Sequence, residues 1–293
     1  MLGNFVFDID GTMTKAMSKY DLEQEEQRAK ERLGEAFMER HTIMAVNYPH
    51  YVYPGLYALF RWLHAKGGRL FFFSSGVEER NLEFTAEFMR RAFGEQADEV
   101  PYQVYSRHHC IDTPHLDRHE PGAGAAYQSF YYGQLKKKLA GVVVAPEELP
   151  HTLLIDDDAS YMVKGEEYNF LRLRYPHRYF SPFEEEDSWL PEKGELDLSG
   201  FYAREFITFH QAYYIAGILE AIFEHQAAEQ LTLIEAAKQV QIDREGEVLS
   251  REFYYPSTFR FSYFRRGLEI LRGLDPTLQF YFPAILQEHY KNG

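Results

Sequence analysis

The sequence predicts an α/β protein: a Rossmann-like parallel sheet with helices on both faces, followed by a C-terminal helical region. Three observations carry this. Short apolar runs recur at Phe5-Val6-Phe7, Leu70–Phe73 and Leu153-Leu154-Ile155, each the length of a strand buried on both faces. Amphipathic segments of helical period lie between them, giving a βαβ alternation. Each run ends in a polar residue, respectively Asp8, Ser74 and Asp156. At the carboxyl ends of parallel strands such groups converge on one site.

Taken in order, residues 4–9 form the first strand. Tyr20 to His41 is rich in Glu, Arg and Lys and reads as an exposed helix near the rim of the site. Residues 15–50 are a small helical cap insertion with no sheet of its own. Tyr53-Pro54-Gly55 is a turn. Leu56 to Lys66 is an amphipathic helix (Leu56, Leu59, Phe60, Leu63) stopped by Gly67-Gly68. Leu70 to Phe73 is the second buried strand, Val77 to Phe93 a second helix, and Val104-Tyr105 part of another strand. Pro114 to Ala126 is a loop rich in Pro, Gly, His and Asp. Gln134 to Leu139 begins a helix. Leu153 to Ile155 and Phe170 to Leu173 complete the sheet, closing a core at 1–175. Residues 176–200, with three prolines and the run Glu184-Glu185-Glu186-Asp187, read as a solvated linker. Residues 201–293 are helical: Ile207, Tyr214, Ile218 and Ile222 share a face, as do Leu231, Ile234, Ala237 and Val240, and Phe261, Phe264, Leu268 and Leu271.

Composition bounds the function classes. At 293 residues the chain can bury a full core without staples, and its one cysteine, Cys110, allows no internal disulfide and fits a reducing, cytoplasmic compartment. A net charge of −14 argues against a general nucleic-acid or anionic-membrane surface. No apolar run reaches the roughly 20 residues of a bilayer span, and no Sec signal is visible at the N-terminus. The sequence leaves the oligomeric state open.

The opening Asp8-Ile9-Asp10-Gly11-Thr12 places two carboxylates at i, i+2 beyond a buried strand. They repel unless a cation or a shared proton holds them. A hard divalent cation with oxygen ligands suits the pair, and an Asp beside it can attack phosphorus. Mg²⁺-dependent phosphoryl transfer is the chemistry to expect.

The full order, Asp-x-Asp-Gly-Thr, then Ser74, then Lys136-Lys137-Lys138, then Asp156-Asp157, resembles the haloacid dehalogenase (HAD) superfamily of phosphatases and phosphotransferases over residues 1–175. Pro54-Gly55, the Tyr105–Cys110 stretch and Ile155 to Tyr161 make it similar to the FCP/NIF-like protein phosphatase branch. It departs from that branch at Gly11, usually Glu, at Tyr53, usually Arg, and in the later position of its lysines. The resemblance implies Asp8 as nucleophile and Asp10 as general acid and base. It implies Mg²⁺ on Asp8, the Asp10 backbone carbonyl and Asp156 or Asp157. Ser74 and one lysine, with Lys137 favoured, would bind the phosphoryl oxygens. Thr12, Ser75, Lys136 and Lys138 are further candidates for the substrate side, although Ser75 also fits a capping box with Glu78. Asp158 is an acid behind the metal ligands or a helix cap. His108, His109 and Cys110 are structural, and Arg260, Arg265 and Arg266 form a solvated helix face.

The small insertion leaves the site open to a macromolecule, so the expected substrate is a phosphoprotein carrying phosphotyrosine or phosphoserine/threonine. The alternatives are a small-molecule phosphomonoester phosphatase with the C-terminal helices as lid, and a catalytically silent phosphate-binding module.

Overall fold

A computed structural model describes residues 2–16, 26–27, 30–31, 33–112, 135–173, 208–241 and 261–281. Its centre is a five-stranded sheet, every pair parallel, of β1 (Asn4–Phe7), β5 (Arg69–Phe73), β6 (Tyr102–Tyr105), β9 (Thr152–Asp156) and β10 (Phe170–Arg172). The order is β10-β9-β1-β5-β6, so the first strand is central and the connections cross over. The register aligns Phe7 with Phe72 and with Ile155, which brings Asp8, Ser74 and Asp156 to one edge.

Alternate residues of the strands face opposite sides, as the pleat requires. Phe5, Phe7, Leu70, Phe72, Leu153 and Ile155 join one core cluster. That cluster takes in the buried apolar residues of α1 (Glu35–His41), α2 (Leu56–Ala65), α3 (Glu78–Phe93), α4 (Gln211–Glu229), α5 (Leu233–Gln241) and α6 (Phe261–Arg272). Val6, Phe71, Phe73 and Leu154 face the second cluster, covered by Leu139, Val143, Val144 and Met162. Helices on both faces were expected. Among the described residues the second face is covered by residues 139–144 and Met162, with Leu149 of a short 3-10 helix (Pro146–His151) packed against them, rather than by α-helices.

The insertion differs from expectation. It holds a three-stranded antiparallel sheet of its own, ordered β2 (Thr14–Ala16), β4 (Tyr48–Val52), β3 (Thr42–Ala45). The β3–β4 turn places Val46 and Asn47 at φ 49° and 57°, the left-handed pair a two-residue hairpin needs. Val46 is an uncommon residue there, and its amide is held by Glu83 of α3 at 2.6 Å. Pro49 sits in the middle strand without cost because it lies past the residues that pair with β2. Of the charged 20–41 segment, helix is described mainly as α1.

Two further expectations are corrected. Lys136 belongs to a strand, β8 (Leu135–Lys136), paired antiparallel with β7 (Ile111–Asp112), not to a helix. The N-cap of α3 is Val77 and takes no side-chain bond, so Ser75 and Glu78 make no capping box. Ser75 is engaged elsewhere, by the Tyr161 hydroxyl at 2.7 Å.

The C-terminal helices are part of the same core. Phe223 of α4 stacks edge-on against Phe5 of β1, ring centroids 5.9 Å apart, and lies 5.5 Å from Trp62 of α2. α4 is apolar around most of its circumference, as a helix enclosed by others must be. The expected linker at 176–200 lies outside the described residues, as do Ile207 and Arg260.

Candidate active site

The sheet ladder itself carries the site residues into place. Past the last paired residues, Asp8 N donates to Ile155 O at 3.0 Å, Ser74 N to Tyr105 O at 3.0 Å, and Leu173 N to Asp156 O at 2.8 Å. Three neighbouring strands therefore deliver Asp8, Ser74 and Asp156 with little backbone freedom.

The inner half of the site is a closed charge cluster. Lys137 Nζ donates to Asp8 Oδ1 and to Asp156 Oδ2, both at 2.6 Å, and all three side chains are buried. Its ammonium also lies 4.4 Å from the centre of the Tyr161 ring. The Lys137 amide is pinned to Tyr161 O at 2.9 Å, which fixes the approach of the side chain. Asp156 Oδ1 accepts from Asp158 N at 2.8 Å. Asp157 is clamped by Thr12, whose hydroxyl donates to Asp157 Oδ1 at 2.9 Å and accepts from Asp157 N at 3.1 Å. The loop passes under this carboxylate at Gly11, with φ 85°; a Cβ there would lie 2.4 Å from Asp157 Oδ2. Only glycine combines that backbone conformation with that space.

Asp8, Asp156 and Asp157 each offer a carboxylate oxygen, all within 4.8 Å of one another. Three buried acids share one lysine. Burial drives the Asp8 carboxyl well above the usual carboxylate range, against the pull of Lys137; burial and the neighbouring Asp156 and Asp8 do the same to Asp157. Burial opposes the charge on Lys137 too, but Asp156 and Asp8 outweigh it and keep the ammonium protonated. These buried oxygen donors could hold a metal cation, whose charge would oppose the upward shifts.

The mouth is built differently. The Asp10 carboxylate is 44% exposed and turned to Arg80 of α3, whose guanidinium donates to Oδ1 at 2.5 Å and to Oδ2 at 2.6 Å. Ser74 Oγ donates to Asp10 Oδ2 at 3.1 Å and accepts from Gly76 N at 3.0 Å. Burial of Asp10 acts upward on its pKa, but the Arg80 bonds and charge, with His50 and Ser74, outweigh it and hold the carboxylate below its ordinary range. His50 on β4 is buried against Phe84, and among the described residues neither ring nitrogen has a hydrogen-bond partner. Gln211, at the start of α4, donates to Gly11 O at 3.1 Å, so the C-terminal helices touch the loop that follows β1.

The candidates thus fall into groups. Asp8, Lys137, Asp156 and Asp157 converge, and Ser74 and Asp10 adjoin them. The Asp10 side chain is not in the three-acid cluster. Thr12 is fully buried and bonded to Asp157, Ser75 is bonded to Tyr161, and Lys136 donates to Ser160 O at 2.7 Å. Lys138 is half-buried outside these contacts. Asp158 caps the following turn through Ser160 N at 2.8 Å. His109 Nδ1 accepts from Ser106 N at 3.0 Å, a local structural bond. Arg80 was not foreseen. The sequence carries no local signal for it, since Glu78 and Glu79 already place acid in the same first turn and its partner Asp10 is remote in sequence.

No protein-family model matches the chain, and no curated protein or solved structure shows significant similarity to it. Among the described residues no helix is long and apolar enough to cross a membrane.

Proposed function

We propose that the chain is a Mg²⁺-dependent phosphatase of the HAD type, working through an aspartyl phosphate on Asp8 and acting on a phosphoprotein. The observation that carries this reading is the convergence of Asp8, Lys137, Asp156 and Asp157 beyond two adjacent parallel strands, with Asp10 and Ser74 at the mouth. Asp8, Asp156 and Asp157 would hold the ion; when bound it supplies positive charge that offsets carboxylate–phosphate repulsion.

Asp8 forms the bond to phosphorus as the bond to the leaving oxygen breaks. Asp10, once parted from Arg80 and protonated, gives that oxygen its proton; as a carboxylate it then takes one from the water that attacks the phosphorus of the aspartyl phosphate, which restores Asp8 and frees phosphate. Lys137, fixed by two carboxylates, keeps the Asp8 side chain in one orientation and places a positive charge beside the reacting group. Ser74 offers a hydroxyl to a phosphoryl oxygen.

An exposed Asp10 and a small insertion favour a macromolecular substrate such as phosphotyrosine or phosphoserine in a protein. The Gln211–Gly11 contact favours a second reading, in which the C-terminal helices close over a small phosphomonoester. The test is hydrolysis of an aryl phosphate by protein stripped with a chelator. Turnover should return with Mg²⁺ and be absent in Asp8→Asn, whose amide is neither nucleophile nor anionic ligand. A rate indifferent to chelator, or retained in Asp8→Asn, contradicts the reading. A panel of phosphopeptides against phosphorylated metabolites then separates the two substrate classes.

A further inference from the structure

Arg80 has no part in the resemblance that pointed to phosphatase chemistry, yet it is the cation that reaches the mouth of the site. Its side chain is 12% exposed and comes from the first turn of α3. The guanidinium occupies the space beside Gly76, where a Cβ would come within 1.8 Å of Nη2, so a side chain at residue 76 would displace it. Both its terminal nitrogens are on Asp10, and Nη2 also reaches Ser74 Oγ at 3.3 Å. It therefore stands on the hydroxyl that follows β5, next to the carboxylates of the inner cluster.

We propose that Arg80 is a phosphate-binding residue, exchanging the Asp10 carboxylate for the anionic oxygens of the substrate's phosphoryl group. The inference rests on the phosphatase reading and deepens it. A guanidinium presents a planar fork that fits a carboxylate and a phosphate equally well, so the exchange costs no geometry. The partner it gives up is the exposed member of the pair, which water can solvate once released. The partner it gains carries two negative charges where Asp10 carries one. Lys137 cannot take this role alone, since its ammonium already bridges two carboxylates. The exchange also frees Asp10 at the moment a leaving oxygen arrives beside it. Arg107 lies on the same side of the mouth, exposed, with its Nε on Ser75 O at 2.7 Å, and adds positive charge to the approach.

The test is titration of inorganic phosphate into the full-length protein with Mg²⁺ present, followed by calorimetry or ³¹P NMR. Wild type, Arg80→Ala and Arg80→Lys are compared, with aryl phosphate kinetics and thermal unfolding alongside. Arg80→Ala should weaken phosphate and raise KM by roughly 10- to 100-fold, the range for a lost charge-assisted bond, with kcat less affected. Arg80→Lys, a charge without a fork, should fall between. Phosphate affinity within twofold of wild type in Arg80→Ala overturns the inference; if that variant does not fold, equal affinity in Arg80→Lys does so. Wild type that binds phosphate without hydrolysing esters defeats the phosphatase reading and leaves Arg80 to be judged by the same titration. Wild type that neither binds nor hydrolyses overturns both.

Discussion

The inner half of the site and its mouth hold the same kind of charge pair in opposite ways. Inside, Lys137 and Asp156 are fully buried and Asp8 is 7% exposed, so each charge depends on the others. At the mouth, Arg80 meets an Asp10 that is 44% open to water. A buried pair is costly to break because the partner left behind has no solvent, whereas an exposed pair contributes little and is easily exchanged. On the proposed reading, the difference separates residues held fixed during phosphoryl transfer from residues free to move. In the proposed mechanism Asp8 would receive the phosphoryl group, and Asp10 and Arg80 would attend its arrival and departure.

The sharpest way to break this comparison is to remove one charge from each half. Lys137→Ala leaves Asp8 and Asp156 buried without their cation and should cost about 3–5 kcal/mol of stability in metal-free protein, the usual result of orphaning a buried charge. Asp10→Asn, which leaves the largely buried Arg80 a neutral acceptor and an edge open to water, should cost less, about 1–2 kcal/mol. Urea unfolding of both variants checks the contrast, and similar losses would mean the two halves are not distinct.

The acids behind the nucleophile should show a smaller effect, on metal rather than fold. Asp156 is tied to Lys137, whereas Asp157 is held by Thr12 over Gly11. Asp157→Ala should therefore raise the Mg²⁺ needed for half-maximal turnover, and Thr12→Val, which only loosens Asp157, should do so by roughly 10- to 100-fold. A Mg²⁺ titration unchanged in both variants would remove Asp157 from the metal site.

The aromatic cluster of the insertion supplies a contrast away from the mouth. Burial, with the neighbouring Arg40, depresses the pKa of His41 to about 3, so it is neutral in the folded state. The unfolded chain takes up that proton below about pH 6.5 and the folded one does not until about pH 3. Stability is therefore lost as pH falls through this window, by about 1 kcal/mol between pH 7.5 and 6. His41→Gln should lack this slope, while the carboxylate contributions remain common to both proteins. Parallel stability–pH curves would place a protonated His41 in the fold.

Much of this was legible because the strands are short, apolar and polar-ended. Phe5-Val6-Phe7-Asp8 and Leu153-Leu154-Ile155-Asp156 read directly as neighbouring strands that hand carboxylates to a common edge. The lysines were harder. Lys136, Lys137 and Lys138 lie on a short strand and the chain leaving it, where no periodicity says which ammonium turns to the acids. The Lys137 backbone bond to Tyr161 decides it, a contact across 24 residues of sequence. The hairpin in the insertion was hidden because Val46-Asn47 lacks the glycine that marks such turns. Ser75 imitated a helix cap because its competing partner, Tyr161, is remote in sequence. Arg80 was hidden for the same reason, because its partner Asp10 is remote in sequence.

The most direct test of the central claim is rapid mixing of Asp10→Asn with an aryl phosphate and Mg²⁺. A phenolate leaving group, with a conjugate-acid pKa near about 10, needs little help from a proton, but the water of the second step has lost its base. One equivalent of phenol should appear in a burst, followed by a stall. Peptide mass mapping of the quenched protein should then place one phosphoryl group on the segment containing Asp8. Linear phenol release, with no phosphoryl group on Asp8, would contradict the account.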